Sequence, residues 1–182
     1  GYVPPTLGKL GTIQELSLAY NRLEANVNKG WEFIISLANC SQLQQLILGF
    51  NSFEGQLPNS IMNLSTNLQK LYLGYNRISG SIPADIGSLV GLESLIIGNN
   101  YLSGVIPESI GKLENLNELT LSNNRLSGLM PSSLGNLSQL ISFYASYCNL
   151  EGPLPASLGG LKNLFALDLL RNYNLNGSIP RE

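Results

Sequence analysis

Apolar and polar residues alternate along this chain in a pattern that repeats about every 24 residues. Its skeleton is L-x-x-L-x-L-x-x-N-x-L-x-G-x-φ-P, where φ is an aliphatic residue, and the stretch 116–131 is a complete copy. Within it, Leu119 and Leu121 alternate with polar residues, which predicts a short strand with one buried side. A single unit can bury that side only against its neighbours. The repeat therefore predicts an α/β solenoid with a concave parallel β-sheet of about seven strands and short helical or irregular turns on the convex side.

Each unit places one asparagine where the chain leaves the strand. An inward asparagine offers one acceptor and two donor hydrogens, so we expect it to bond the backbone of its own turn and of the next coil, forming a ladder. Cys148 stands in this position in one unit, and Cys40 stands in an inward aliphatic position. We expect both to be buried free thiols, too far apart for a disulfide. The predicted ladder residues are Asn21, Asn51, Asn76, Asn100, Asn124, Cys148 and Asn172.

The first repeat interval is longer than the others, at 30 residues. An inserted segment, 24–38, accounts for this, and its residues 24–30 replace the G-x-φ-P tail. Apolar residues from Trp31 to Ala38 recur at helical spacing, which predicts about two turns of helix. This helix either packs its apolar side on the convex surface or stays exposed to contact a partner. Smaller irregularities at 64–68 and 172–175 predict a bulge and a distorted turn.

The repeat runs from one end of the chain to the other. Its proline-terminated tail occurs as a partial copy at Pro4 and again at Pro58, Pro83, Pro107, Pro131, Pro155 and Pro180. Neither end shows a polar cap, which solenoids need to cover the terminal core. We therefore expect residues 1–182 to form one array of about seven repeats, uncapped at both ends and cut from a longer array.

Composition argues against most classes of chemistry. The chain has no histidine, which excludes Ser-His-Asp triads, Cys-His pairs and most zinc sites. Gly111 and Lys112 are not preceded by a P-loop, and the acidic residues are scattered singly. Charged residues make up 12 % of the chain and the net charge is -2, so nucleic acid is not an expected partner. We therefore expect no enzyme activity, no cofactor and no metal within this segment. We also expect no membrane contact, because no apolar run is long enough to span a bilayer.

Two features carry a family resemblance that covers essentially the whole chain. The repeat with its G-x-φ-P tail is similar to the plant-specific, extracellular subclass of leucine-rich repeats. Segment 31–43, W-E-F-I-I-S-L-A-N-C-S-Q-L, resembles the motif W-x-F-(I/L)-x-S-L-x-N-C-(S/T)-x-L. Both resemble the ectodomain of plant leucine-rich-repeat receptor kinases, in the group that includes the rice bacterial-blight-resistance receptor.

This resemblance implies a right-handed superhelix and a place at the extracellular face of the plasma membrane, as part of a single-pass receptor in defence signalling. It also implies a peptide or protein ligand, a co-receptor, and a kinase domain elsewhere in the protein. Two alternatives stay open: a secreted inhibitor of a microbial wall-degrading enzyme, and a non-catalytic structural or remnant fragment.

Four N-x-(S/T) sequons are candidate glycosylation sites. They begin at Asn39, Asn63, Asn136 and Asn176. Asn63 and Asn136 fall in the segment predicted to lie on the convex side, where we expect them to be exposed. Asn39 follows the inserted segment, and we expect it to be poorly accessible.

The positions that the repeat leaves free predict a binding surface on the concave side. Aromatic and aliphatic side chains occupy several of them, beside a groove of small residues at Gly49, Gly74 and Gly98. Exposed aromatics are typical binding anchors, although aromatics in successive coils can instead stack on one another. The predicted ligand-binding residues are Tyr20, Ile47, Phe50, Tyr72, Tyr75, Ile96, Tyr144 and Tyr147.

Overall fold

The computed structural model describes residues 1–177, and the final tail with Pro180 lies outside the described residues. Within residues 1–177, fourteen short strands follow one another; the odd-numbered strands come from the L-x-L segments and the even-numbered strands from the tails after the asparagines. In chain order they are β1 (Glu15–Ser17), β2 (Glu24–Ala25), β3 (Gln45–Ile47), β4 (Ser52–Gln56), β5 (Lys70–Tyr72), β6 (Arg77–Ser79), β7 (Ser94–Ile96), β8 (Ser103–Gly104), β9 (Glu118–Thr120), β10 (Arg125–Leu129), β11 (Ser142–Tyr144), β12 (Asn149–Pro153), β13 (Ala166–Asp168) and β14 (Asn174–Asn176).

The odd-numbered strands form one parallel sheet in the order β1-β3-β5-β7-β9-β11-β13. Equivalent residues of successive coils pair in register, as Leu95 does with Leu119 and Leu119 with Phe143. Each inward side chain therefore packs on its counterpart in the next coil, and these three side chains are fully buried. The predicted solenoid and its concave parallel sheet are confirmed.

The even-numbered strands form two further parallel sheets, β2-β4-β6 and β8-β10-β12-β14. The sequence pattern predicts only extended or turn conformation there, so these sheets are an additional finding. Most of these strands contain or border a glycine with positive φ. Gly128, for example, has a φ of 76°, and a Cβ on it would lie 2.9 Å from Cγ1 of Val105 in the preceding coil. Glycine is required at this position both for its conformation and for space.

Short helices form the convex side of the coils. Five of the 3₁₀ helices begin directly after a proline, whose fixed φ and missing N–H suit a helix start. Within residues 1–177 the helices are the α-helix α1 (Glu32–Leu37) and the 3₁₀ helices Pro5–Lys9, Asn59–Asn63, Ile86–Ser88, Glu108–Lys112, Ser132–Asn136 and Ala156–Gly160.

Helix α1 takes the place of a 3₁₀ helix in the longer first repeat and packs between Pro5–Lys9 and Asn59–Asn63. Its Phe33, Ile34 and Leu37 are fully buried, whereas Ile35 is exposed. The apolar side of α1 thus packs on the convex surface, which agrees with the first of the two alternatives for this segment.

Trp31, directly before α1, ties the inserted segment to the following coil. Its indole N–H donates to the carbonyl oxygen of Glu54 at 3.0 Å, and its ring lies 5.5 Å from the ring of Phe53. A buried tryptophan needs both an apolar environment and a partner for its N–H, and this position supplies both.

The smaller irregularities are absorbed by local hydrogen bonds. The Ser65 hydroxyl donates to the Ser41 carbonyl oxygen at 2.7 Å and accepts from the Asn67 N–H at 3.1 Å, which accommodates the extra residue of segment 64–68. In the last described coil, the N–H of Leu175 donates to the carbonyl oxygen of Asn172 at 3.1 Å. Both distortions leave the main sheet in register.

Cys40 and Cys148 are buried and free. Burial raises the pKa of both thiols above the ordinary value. These cysteines are therefore protonated core residues at neutral pH.

Candidate ligand-binding surface

The asparagine ladder fixes the edge of the main sheet. The Asn124 amide group donates to the carbonyl oxygens of Leu121 in its own turn (2.8 Å) and Ile97 in the preceding coil (3.1 Å). Its side-chain oxygen accepts from the N–H of Leu102, also in the preceding coil, at 2.9 Å. The ladder therefore runs to the preceding coil, and the expectation that it runs to the next coil is wrong.

Backbone and side chain connect this turn to different coils. The N–H of Asn123 donates to the carbonyl oxygen of Ser146 in the next coil at 2.8 Å, whereas the side chain of Asn124 pairs with groups of the preceding coil. Asn51, Asn76, Asn100 and Asn172 repeat the arrangement. Asn21 bonds only to carbonyl oxygens of its own turn, and the Cys148 sulfur lies 3.6 Å from the carbonyl oxygen of Leu121.

The residue before each ladder position has a left-handed backbone, and we call these seven residues the left-handed column. Their φ values lie between 52° and 62°. Such values are uncommon outside glycine and are tolerated best by asparagine and aspartate. The column consists of Tyr20, Phe50, Tyr75, Asn99, Asn123, Tyr147 and Arg171. The sequence did contain a signal for this conformation, because asparagine occupies two of the seven positions.

The aromatic members of the column stack on one another. The rings of Tyr20 and Phe50 are 4.2 Å apart at 9°, and those of Phe50 and Tyr75 are 4.1 Å apart at 10°. Farther along, the Arg171 guanidinium lies 5.7 Å from the centre of the Tyr147 ring. Stacked pairs contribute about 0.5–1.5 kcal/mol beyond the area that they bury. These predicted ligand-binding residues thus join neighbouring coils, while Tyr20 and Tyr75 remain exposed.

The predicted glycine groove is filled by side chains of the following coil. The Tyr72 ring lies in the space that a Cβ on Gly49 would occupy. A Cβ on Gly74 would lie 3.2 Å from the carbonyl oxygen of Gly98 and 3.5 Å from Cγ2 of Ile96. Gly49, Gly74 and Gly98 are all buried, so the expectation of an open groove is wrong.

A pocket of about 310 Å³ opens on the concave sheet beside Tyr72, and we call it the concave pocket. It brings together three of the predicted ligand-binding residues, Ile47, Tyr72 and Ile96, which line successive strands. Tyr144 lies on β11, outside the pocket lining. The remaining lining residues are Lys70, Leu71, Glu93, Ser94, Asn117 and Glu118.

The polar residues of the concave pocket were not among the predicted ligand-binding residues. Lys70, Ser94 and Glu118 occupy equivalent positions on β5, β7 and β9, and the Ser94 hydroxyl donates to Oε2 of Glu118 at 3.0 Å. The signal for them is strand alternation: they stand two residues before Tyr72, Ile96 and Thr120, which pair across the sheet, and so share their side of it.

Tyr72 presents a protonated phenol to this pocket. Partial burial raises the pKa of the Tyr72 hydroxyl above its usual value, and the neighbouring phenols and Glu118 raise it further. At neutral pH the group is therefore available as a hydrogen-bond donor or acceptor.

The sequon asparagines lie away from the concave pocket. Asn63 and Asn136 end two 3₁₀ helices of the convex side and are exposed, as expected. Asn39 is also exposed, so its expected poor accessibility is wrong: α1 turns its apolar side inward and leaves the turn after it facing solvent. Asn176 is exposed, and its Ser178 lies outside the described residues.

Metal sites and membrane-spanning helices are absent from the described part of the chain. Residues 1–177 contain no group of three or more histidine, cysteine, aspartate or glutamate residues that could hold a metal ion. None of the helices in this range is long and apolar enough to cross a membrane.

Sequence models of one family match much of the chain. The models described as "Leucine Rich Repeat", "Leucine Rich repeats (2 copies)" and "Leucine rich repeat" match residues 42–64, 66–108 and 90–150, respectively. Together they cover more than half of the chain.

Individual proteins show the same similarity. Receptor kinase-like protein Xa21 of Oryza sativa subsp. japonica is 43 % identical over 86 residues, which are 47 % of this chain and 8 % of that protein. The plant peptide hormone receptor RGFR1 in complex with RGF2 superposes with a TM-score of 0.90 and 32 % identity, over 99 % of this chain and 28 % of that chain. The Arabidopsis receptor kinase HAESA, in complex with the peptide hormone IDA and the co-receptor SERK1, superposes with a TM-score of 0.76 and 31 % identity, over 92 % and 31 % of the two chains. This chain thus spans less than a third of the length of these proteins.

Proposed function

We propose that this chain, which belongs to the leucine-rich repeat family, is a ligand-recognition segment from the extracellular part of a plant receptor kinase. The receptor acts in defence signalling. Its ligand is a peptide or protein that lies along the concave sheet and enters the concave pocket. A co-receptor is the second partner. Similarity to Xa21 supports the receptor assignment, and the peptide complexes of RGFR1 and HAESA support the ligand class.

The concave pocket is the observation that carries this proposal. Ile47, Tyr72 and Ile96 are only partly buried although each faces its neighbour across the sheet, so apolar surface is left for a ligand to cover. Their backbones are fixed by in-register pairing on both sides. A surface that is ordered before binding loses little entropy when it binds.

The positions of the sequons also support a ligand that binds from the concave side. Asn39, Asn63 and Asn136 follow or end helices of the convex side. Glycans attached there would cover the convex surface and leave the concave sheet free. We propose these residues, with Asn176, as glycosylation sites of the secreted protein.

Selection from a random peptide library tests the proposal. A library of 12-residue peptides displayed on phage is selected on the immobilised chain, and the enriched peptides are then titrated against the variant Ile47→Ser/Ile96→Ser. We expect dissociation constants to rise at least about tenfold, equivalent to ~1.4 kcal/mol, because two apolar walls of the pocket are lost.

The matched control is Val90→Ser/Val105→Ser, which removes two aliphatic side chains that are exposed and outside the pocket. It should bind the enriched peptides as the unsubstituted chain does. Peptides that bind the Ile47→Ser/Ile96→Ser variant without loss would refute a ligand site at the concave pocket.

A further inference from the structure

The concave pocket contains two carboxylates without a cationic partner. Glu93 and Glu118 line it together with Lys70, yet the single ion pair within residues 1–177 joins the N-terminal amine to Glu24. Both glutamates are half-buried. Partial burial strengthens their interaction with any cation that enters, because fewer water molecules screen it.

One of these carboxylates is held in place. The Ser94 hydroxyl donates to Oε2 of Glu118 at 3.0 Å, and Ser94 itself is 8 % exposed. The other oxygen of Glu118 is left to accept from a ligand. On the apolar side, the Tyr72 ring is packed across Gly49 and has little freedom to move.

The strands of the main sheet carry a net negative charge. The strands β1 to β13 of the main sheet carry three acidic residues, Glu15, Glu118 and Asp168, and one basic residue, Lys70. A surface with an excess of one sign attracts ligands of the other sign and disfavours similar ones. The concave side is therefore matched to a basic peptide.

We infer that the concave pocket binds an arginine side chain of the peptide ligand. The inference rests on the proposed function and specifies its ligand. The guanidinium has planar donors that fit a carboxylate oxygen pair and can stack on an aromatic ring such as Tyr72. Its alkyl stem packs on the apolar wall formed by Ile47 and Ile96. Glu93 and Glu118 supply the charge that distinguishes arginine from a neutral side chain of equal size.

A pair of tetrapeptides tests this directly. The first is acetyl-Gly-Arg-Leu-Gly-amide, and the second carries citrulline, which has the shape of arginine but no charge, in its place. Each is titrated into the chain carrying ¹³C-labelled isoleucine methyl groups, and the NMR shifts of Ile47 and Ile96 report on pocket occupancy. We expect the arginine peptide to bind about four- to twentyfold more tightly than the citrulline peptide, as two partly exposed ion pairs predict.

The charge preference should depend on the pocket glutamates alone. In Glu93→Gln/Glu118→Gln the two peptides should bind equally, whereas Glu108→Gln/Glu114→Gln, which removes two exposed carboxylates outside the pocket, should keep the preference. Unchanged methyl spectra in both variants show that the fold is intact.

Equal shifts with both peptides in the unsubstituted chain would overturn the arginine inference and leave the concave ligand site standing. Preference for arginine that persists in Glu93→Gln/Glu118→Gln would also overturn it. Absence of any shift at Ile47 and Ile96 would overturn it as well, while the library selection would decide the proposed function separately.

Discussion

The left-handed column is built in two ways along the same solenoid. In the first coils it holds Tyr20, Phe50 and Tyr75, and in the central coils it holds Asn99 and Asn123, all with φ between 55° and 57°. Asparagine accepts this backbone at little cost, whereas a left-handed aromatic residue is strained by about 1–2 kcal/mol. The aromatic residues recover that cost by stacking at 4.1–4.2 Å on the next coil.

The difference shows how an aromatic stripe can combine structure and recognition. The stacked faces of the column stabilise the coils, so the aromatic residues there are not free to rearrange around a ligand. Ile47, Tyr72 and Ile96 lie three residues before members of the column, within the strands themselves. They leave apolar surface open instead. Recognition and stability are therefore divided between two positions of the same repeat that lie three residues apart.

The largest expected effect comes from the ladder, which stabilises the central coils without aromatic help. Asn124→Ala removes three hydrogen bonds and leaves the buried N–H of Leu102 unpaired, so we expect a loss of about 3 kcal/mol in the free energy of unfolding. Asn51→Ala, in the stacked coils and only half-buried, should lose about 1 kcal/mol. Urea unfolding measures both, and equal losses would show that stacking does not compensate for the ladder.

A smaller effect tests the stack itself. Phe50→Ala removes two stacked contacts but keeps a left-handed residue with a Cβ, so we expect a loss of about 2 kcal/mol. Asn99→Ala removes no ring contact and adds only left-handed strain, about 1 kcal/mol. The urea midpoints are compared between variants with equal m-values, so that a shift in midpoint reports a change in the free energy of unfolding. A greater loss for Asn99→Ala than for Phe50→Ala would contradict the proposed compensation.

The smallest expected effect is a difference in the pH dependence of stability between the aromatic region, which contains Tyr72, and the polar region, which contains Thr120. The pKa of the Tyr72 hydroxyl is raised in the folded state, so ionisation opposes folding. The stabilisation is full below the ordinary tyrosine value of about 10 and is lost as pH rises through the folded-state pKa. Tyr72→Phe should therefore lose less stability than the unsubstituted chain between about pH 9 and 11.

Thr120→Val is the control for this pH series, because it changes the equivalent hydroxyl of the polar region without removing a titrating group. It should follow the unsubstituted chain. The buried thiols of Cys40 and Cys148 titrate in all three proteins and do not affect the difference. Parallel alkaline profiles for Tyr72→Phe and the unsubstituted chain would show that this phenol does not couple to folding.

Much of the architecture followed from periodicity, because the constraint that places Leu119 on the buried side of its strand recurs in every coil. The second set of sheets did not follow. Its short strands contain glycine and proline, which are poor strand formers, and they form only when a neighbouring coil supplies the pairing.

The candidate site was recovered only in part. Alternation places Ile47, Tyr72 and Ile96 on the concave side. It does not predict that the Tyr72 ring covers Gly49, because this depends on the direction in which the ring points toward the preceding coil. The predicted ligand-binding residues do not include Glu118, because its repeat is polar at the free positions, although alternation places it on the same side of the sheet. The left-handed φ of Phe50 was also overlooked, because phenylalanine gives no local sign of a conformation that stacking stabilises.

The glycines of the convex side have a consequence for curvature. A Cβ on Gly87, Gly111 or Gly135 would collide with a serine of the following coil, at 109, 133 or 157. These glycines therefore allow successive coils to pack closely on the convex side. Met62 stands in the equivalent position of Asn59–Asn63, and there a cleft of about 590 Å³ separates it from the segment 81–85. Since the sheet lies on the inner side of the curve, a wider spacing between coils on the convex side bends the sheet more sharply, so one convex side chain increases the curvature around whatever the sheet holds.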